Sequence, residues 1–214
     1  MPDKEDEITC CAVILAGGRN SRMGGRNKAF LRVGGETILD RVVKRLRLFF
    51  DEILLVTRAP GLYQESSVKV IEDIFEARSS LTGVHAGLTH AGSNYAFVIP
   101  CDAPFIRPAL IRLMLSELDA SLASPGSPAS IDVIVPFHDG RYEPLCAIYS
   151  KNCIDPIEDQ LKRKDYKIYH FFDQIRLKTL SAERIKSADP EMRSFFNVNT
   201  PEAYQRCREL CDLS

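Results

Sequence analysis

No stretch of this 214-residue chain is apolar for long enough to cross a bilayer, which argues against a helical membrane anchor. The first residues, Pro2-Asp3-Lys4-Glu5-Asp6-Glu7, are acidic and lack the basic and apolar regions of a secretory leader. Net charge is also missing. Twenty-eight Lys and Arg against 29 Asp and Glu leave −1, so no global field draws the chain to nucleic acid or anionic lipid. There are seven cysteines, an odd number, and none forms a Cys-x-x-Cys pair. Buried reduced thiols are therefore expected rather than a zinc site or a disulfide framework, and with them a cytoplasmic location. His85, His90, His138 and His170 show no ligand spacing and read as surface or core residues. No internal repeat is present.

What remains is an ordinary globular composition, 45% hydrophobic and 27% charged, at a length suited to one α/β domain. Its most informative stretch is residues 15–28. A short apolar run over 11–15 has the length and Val/Ile content of a buried strand. Gly17 and Gly18 end it and let the backbone approach a ligand closely. Gly24 and Gly25 follow, interleaved with Arg19, Arg22, Arg26 and Lys28. Exposed N–H groups and clustered cations suit a polyphosphate. Two familiar loops are excluded. No Gly-Lys-Ser/Thr closes the stretch, and the G-x-G-x-x-G spacing is absent. The alternative is a surface loop with scattered arginines.

Downstream, strand and helix alternate with short connections, which predicts a Rossmann-like, mostly parallel sheet with helices on both faces. Strands are expected over 52–57, 68–71 and 95–99. Helices are expected from Thr37 as N-cap to 50, over 79–91 and over 108–118. Residues 121–130, rich in Ser, Pro and Ala, read as a flexible loop. Strands over 131–137 and 144–149 flank an Asp139-Gly140 hairpin turn. Helices over 152–163 and 165–172 and an edge strand over 176–180 come next. The chain ends with a strand-to-helix junction at 195–201 and a last helix to 210. The whole reads as one domain over 1–214, with 1–10 as an N-terminal tail.

Ligands in open parallel sheets lie outside the carboxyl ends of the strands. The glycine loop, Thr57, Asp73, Asp102 and Asn197/Asn199 all fall near such ends. Asp102 follows a buried strand through Pro100-Cys101 and is a natural Mg²⁺ ligand. The competing reading is an Asx turn or a helix cap. Lys28 and Arg22 would neutralise phosphates, Lys28 at the developing charge and Arg22 there or in ordering the loop. Asp73 alone reads as a solvated acid at a strand end. Asn197 and Asn199, two apart, would share one face of a strand, or Asn199 would cap the last helix.

The pattern L-A-G-G-x-x-x-R-M-G-x-x-x-K resembles the signature of nucleotidyltransferases with a Rossmann-like fold of the nucleotide-diphospho-sugar transferase type. It is most similar to the molybdenum cofactor guanylyltransferases, and the resemblance extends over nearly the whole chain. It implies Mg²⁺-dependent transfer of GMP from GTP to the phosphate of molybdopterin, with or without its metal, and release of pyrophosphate. It also implies a nucleotide site at Leu15, Ala16, Gly17, Gly18 and Lys28. Asp102, in P-C-D-x-P, would hold the magnesium, and Asp73, in V-I-x-D, would lie near ribose and metal. Asn197 and Asn199, in N-x-N-T-P, and Glu143, in Glu143-Pro144-Leu145, would serve the acceptor side. Gly17-Gly18 favours guanine, since cytidylyl relatives more often show Leu-Ala-Ala-Gly. The resemblance frays at Asn27, where Asp is usual, at Thr57, where Asn often contacts the base, and at Ser79-Ser80. Contacts with proteins that deliver or collect the cofactor are implied as well. The alternatives are a related enzyme using CTP, a sugar phosphate or a phospho-acid, or a GTP-binding module without catalysis.

Overall fold

A computed structural model describes residues 10–17, 27–73, 75–123 and 131–212. Of the sequence-based expectations, Gly18, Arg22, the other loop arginines and most of the 121–130 loop lie outside the described residues.

The first strand, β1 (Cys10–Leu15), is buried on both faces and forms the middle of the sheet. A two-strand ribbon follows, β2 (Arg32–Val33) and β3 (Glu36–Thr37), turned by Gly34 and Gly35 at φ +57° and +86°. Those positive φ angles are why both turn residues are glycine. Thr37 caps α1 (Ile38–Leu46), its side chain accepting from the Asp40 N–H. The helix stops four residues short of the expected 50. Phe49 and Phe50 N–H both fold back to the Leu46 carbonyl, and the buried Phe50 ring stacks on Phe97 at 5.7 Å. Burying that aromatic outweighs another helical turn.

Then come β4 (Ile53–Thr57), β5 (Lys69–Glu72), α2 (Ser80–His90), β6 (Tyr95–Pro100) and α3 (Pro108–Leu122). Pro108 opens α3 at the position where a missing N–H costs nothing. That helix runs to Leu122, into the start of the expected loop. Next, β7 (Val133–His138) turns through Asp139 and Gly140, both at positive φ, into β8 (Arg141–Tyr142). The hairpin partner is thus this short strand. The longer β9 (Ala147–Ser150) instead inserts antiparallel between β6 and β7.

After α4 (Ile154–Lys162), the helix expected over 165–172 is a 3-10 run over Ile168–Gln174. Gln160 Nε2 takes the carbonyls of Asp165 and Lys167, and Ile168 and Phe171, three apart, both face the core. β10 (Leu177–Ser181) is the edge strand, as expected. A helix that sequence reading missed, α5 (Ala182–Ala188), starts from the Ser181 cap. The last helix, α6 (Pro201–Asp212), follows a 3-10 turn at Arg193–Phe195. No strand forms at 195–199. The segment crosses the ends of the strands, and Val198 N–H donates to the Asp102 carbonyl at 2.9 Å. The alternation argument for Asn197 and Asn199 therefore fails.

The main sheet runs β10-β7-β9-β6-β1-β4-β5, with β8 off the path. All its seven path strands except β9 run parallel. Alternate residues of β1 feed two cores. Ala12 and Ile14 pack with α1, α3 and α5; Cys11 and Val13 pack with α2, α4 and the 3-10 run. A third cluster, Leu31, Val33, Ile38, Phe105, Val198 and Cys207, ties α6 and the 195–199 segment to the ribbon. Among the described residues, no helix is long and apolar enough to cross a membrane.

Candidate active site

The carboxyl ends of β1, β4, β5 and β6 open on one cavity of about 350 Å³. Parallel neighbours in register put these ends side by side: Leu15 pairs with Val56 and Pro100, and Thr57 with Glu72. Leu15, Ala16 and Gly17 line the cavity, together with Lys28, Thr57, Asp73, Asp102, Asn197 and Asn199. All of these are positions singled out from the sequence. Glu143 is not among the lining residues. Its Oε1 lies 3.1 Å from His138 Nε2, while Leu145, two residues on, does reach the cavity.

Lys28 and Asp102, 74 positions apart in the chain, meet on the cavity wall. Lys28 Nζ lies 3.1 Å from Asp102 Oδ2 and 2.5 Å from Asn199 Oδ1. Asp102 is only 8% exposed, so this ammonium is what makes a buried carboxylate tolerable. Its backbone is anchored too, because its carbonyl accepts the Val198 N–H and so fixes Asn197 and Asn199 beside it. Asn197 Oδ1 is buried and has no hydrogen-bond partner among the described residues. An orphaned buried oxygen costs free energy until something fills its site.

Other members of the set are occupied structurally. Asp73 accepts from Phe75 N–H at 3.1 Å through Oδ1 and from Thr82 Oγ1 at 2.7 Å through Oδ2. It is buried, not the solvated acid that spacing alone implied. Thr57 Oγ1 donates to the Ala16 carbonyl at 3.3 Å and accepts the Ala59 N–H at 3.2 Å, stitching β1 to β4 at the cavity wall. Burial pushes the Cys101 thiol up to about 12, with the Asp102 charge adding to the shift, so no thiolate nucleophile forms there.

Two arginines that were not singled out from the sequence belong to the site. Arg58 and Arg78 also line the cavity, Arg58 donating to the carbonyls of Phe75 and Ala77. With Lys28 they set three cations against the carboxylates of Asp73 and Asp102, a balance that suits a polyanion. The first turn of α2 brings Ser80 and Gly83 to the wall, so the positive end of that helix faces inward. Ser79 caps it by accepting the Thr82 N–H at 3.2 Å. The helix expected over 79–91 thus begins at its serine cap. Asn27 caps the 3-10 turn Lys28–Phe30 through the Ala29 N–H, which gives the unusual residue at that position a structural role.

The described residues hold no group of three His, Cys, Asp or Glu that could chelate a metal by themselves. A divalent ion here would rest on Asp102 and on oxygens supplied by a ligand and water. That is the usual way magnesium binds with phosphates. Lys28 engages only Oδ2 of the carboxylate, and the donor is a hard oxygen, so the residues present fit such an ion.

Comparison with known proteins points the same way as the cavity. The model of the family described as MobA-like NTP transferase domain matches residues 12–179. A molybdenum cofactor guanylyltransferase from Desulfosudis oleivorans is 37% identical over 201 residues, 94% of either chain. A probable molybdenum cofactor guanylyltransferase from Pelotomaculum thermopropionicum is 36% identical, covering 97% of this chain and 96% of its own. Among solved structures, molybdopterin-guanine dinucleotide biosynthesis protein A from Archaeoglobus fulgidus superposes with a TM-score of 0.79 at 27% identity. That match covers 95% of this chain and 99% of the other.

Proposed function

The chain belongs to the MobA-like NTP transferase domain family, and from that premise we propose that it transfers GMP from GTP to the phosphate of molybdopterin. An oxygen of the acceptor phosphate attacks the α-phosphorus of GTP. The bond between the α-phosphorus and the bridging oxygen breaks, and pyrophosphate leaves. The nucleophile is already ionised near neutral pH, so the protein needs neither a general base nor a covalent intermediate. Its work is positioning and charge stabilisation.

The observation that carries this reading is the meeting of Lys28 with Asp102 on the wall of a cavity richer in cations than in carboxylates. Lys28 has two oxygen partners, and this supports a role for its ammonium in meeting charge on the α-phosphate and on departing pyrophosphate. Asp102 is the residue to hold a divalent cation, with Mg²⁺ the expected ion. Bound there, the ion supplies Lewis-acid polarisation of a phosphoryl oxygen. Backbone at Leu15, Ala16 and Gly17 offers a wall for a base, and among the described residues nothing lies within 4 Å of a Cβ built on Gly17. Arg22 and Gly18 complete the proposed phosphate loop. Asn197 Oδ1, buried and without a partner among the described residues, could take a hydrogen bond from acceptor, nucleotide or water, and Glu143 would serve the acceptor side.

The test is pyrophosphate release with molybdopterin as acceptor and Mg²⁺ present, measured separately with ATP, GTP, CTP and UTP. GTP is expected to turn over at least tenfold faster than the others. Equal or faster release with CTP would make this a cytidylyl enzyme. Binding of GTP with no release would make it a module without catalysis.

A further inference from the structure

Lys28 stands on a turn that is held from the far side by a buried phenol. Asn27 directs both ends of its amide inward. Its Oδ1 accepts the Ala29 N–H at 3.1 Å, and its Nδ2 donates to Tyr63 Oη at 2.9 Å. Tyr63 comes from a different part of the chain, the 3-10 turn Pro60–Tyr63 beyond β4, and is 2% exposed. Phe30, at the other end of the Lys28 turn, lies against the Tyr63 ring with centroids 5.2 Å apart. Ala29 is fully buried between them. The turn is thus pinned by a methyl in the core, a ring contact and the two hydrogen bonds of the Asn27 amide, while Lys28 carries its charge to the cavity wall.

We propose that Tyr63 is a positioning residue for the reaction: through its hydroxyl and Asn27 it fixes the turn from which Lys28 reaches the nucleotide phosphates. This rests on the assignment of Lys28 to those phosphates. Burial pushes the Tyr63 phenol up to about 12, although the Asn27 hydrogen bond opposes it, so the group stays neutral throughout the working range. A neutral phenol oxygen accepts the amide N–H reliably. Asn at position 27 suits that arrangement, because it brings both an acceptor for the turn and a donor for the phenol. Small displacements of a charged group at a reacting phosphate carry large rate penalties.

The experiment is a double-mutant cycle on kcat, with Tyr63→Phe, Lys28→Gln and the pair. Labelled GTP and enzyme in excess let slow variants be read. Tyr63→Phe keeps the ring and its packing and deletes only the hydroxyl. Its kcat is expected to fall about tenfold with KM for GTP within twofold. In the Lys28→Gln background the same deletion is expected to cost less than twofold, because there is no ammonium left to aim. Thermal unfolding should shift by the same amount in both backgrounds, which separates aim from stability. The proposal is overturned if Tyr63→Phe alone retains more than half of the parental kcat. It is equally overturned if the deletion costs the same factor with and without Lys28. Full activity in Lys28→Gln would instead overturn the assignment of Lys28, a distinct outcome.

Discussion

At the scale of single residues, the buried carboxylate of Asp132 shows how partners make a buried charge tolerable. Asp132, at the start of β7, accepts from Ser150, Asn152 and Arg176, the last through backbone N–H, Nε and Nη2. Burial alone would raise its pKa, but the Arg176 and Asn152 hydrogen bonds win and hold it at about 2, against an ordinary 3.8. The folded state therefore binds this proton less readily than the unfolded chain. The stabilisation is complete above pH 3.8 and is lost as pH falls through about 2. Urea unfolding of the parent and Asp132→Asn is expected to differ by about 2 kcal/mol at pH 6, with the gap shrinking steadily between pH 4 and 2. A gap independent of pH over that range would refute the assignment. The residue scale is also where the sequence was most legible. Lys28 and Asp102 announced themselves because glycine-bounded cations and a carboxylate after a buried strand each imply a chemistry. Asn27, Tyr63 and Arg78 did not, since their roles depend on neighbours that are distant in the chain.

At the scale of elements, α2 is the helix whose fit matters most to the site, because it lies on β1 and its first turn walls the cavity. Gly87 sits where they touch. A Cβ there would lie 2.5 Å from Val13 Cγ1 and 3.0 Å from Cγ2. Val13 is fully buried and β-branched, so it has little freedom to move aside. Gly87→Ala would gain up to about 1 kcal/mol in helix propensity. Overpacking costs about 1–3 kcal/mol, and at so short a contact the upper end should apply. The net expectation is a melting temperature lowered by roughly 5 °C. An unchanged or higher value would mean the helix can slide on the strand. At Gly83, one turn nearer the cavity, a Cβ would lie 3.1 Å from Leu15 Cδ2, which extends the same close seam. Most elements were legible from apolar periodicity. Those that failed were decided by tertiary contacts. Phe50 leaves α1 for the core, Gln160 ties up the carbonyls before the 3-10 run, and Val198 is drawn beneath Asp102 rather than into a sheet.

At the scale of the whole molecule, the sheet order is what creates the site. β1 lies between β4 and β6, so the glycine turn after one strand opens beside the carboxylate after the next. Alternation of strands and helices predicted that parallel half. It could not place β9, whose antiparallel insertion separates β6 from β7 and leaves Leu145 on the cavity wall. Such an insertion has no local signal, because a short apolar strand reads the same in either direction. Asn197 and Asn199 reach the cavity wall because Val198 between them is tied to the Asp102 carbonyl. The central claim is that Asp102 and Lys28 form one phosphoryl-transfer centre. Its most direct test is transfer of label from α-labelled GTP to molybdopterin by the parent protein and by Asp102→Asn, with thermal unfolding of both as the control for folding. Transfer is expected to fall at least a thousandfold while the melting temperature stays within about 5 °C; transfer within tenfold of the parent by a folded Asp102→Asn protein would contradict a shared centre.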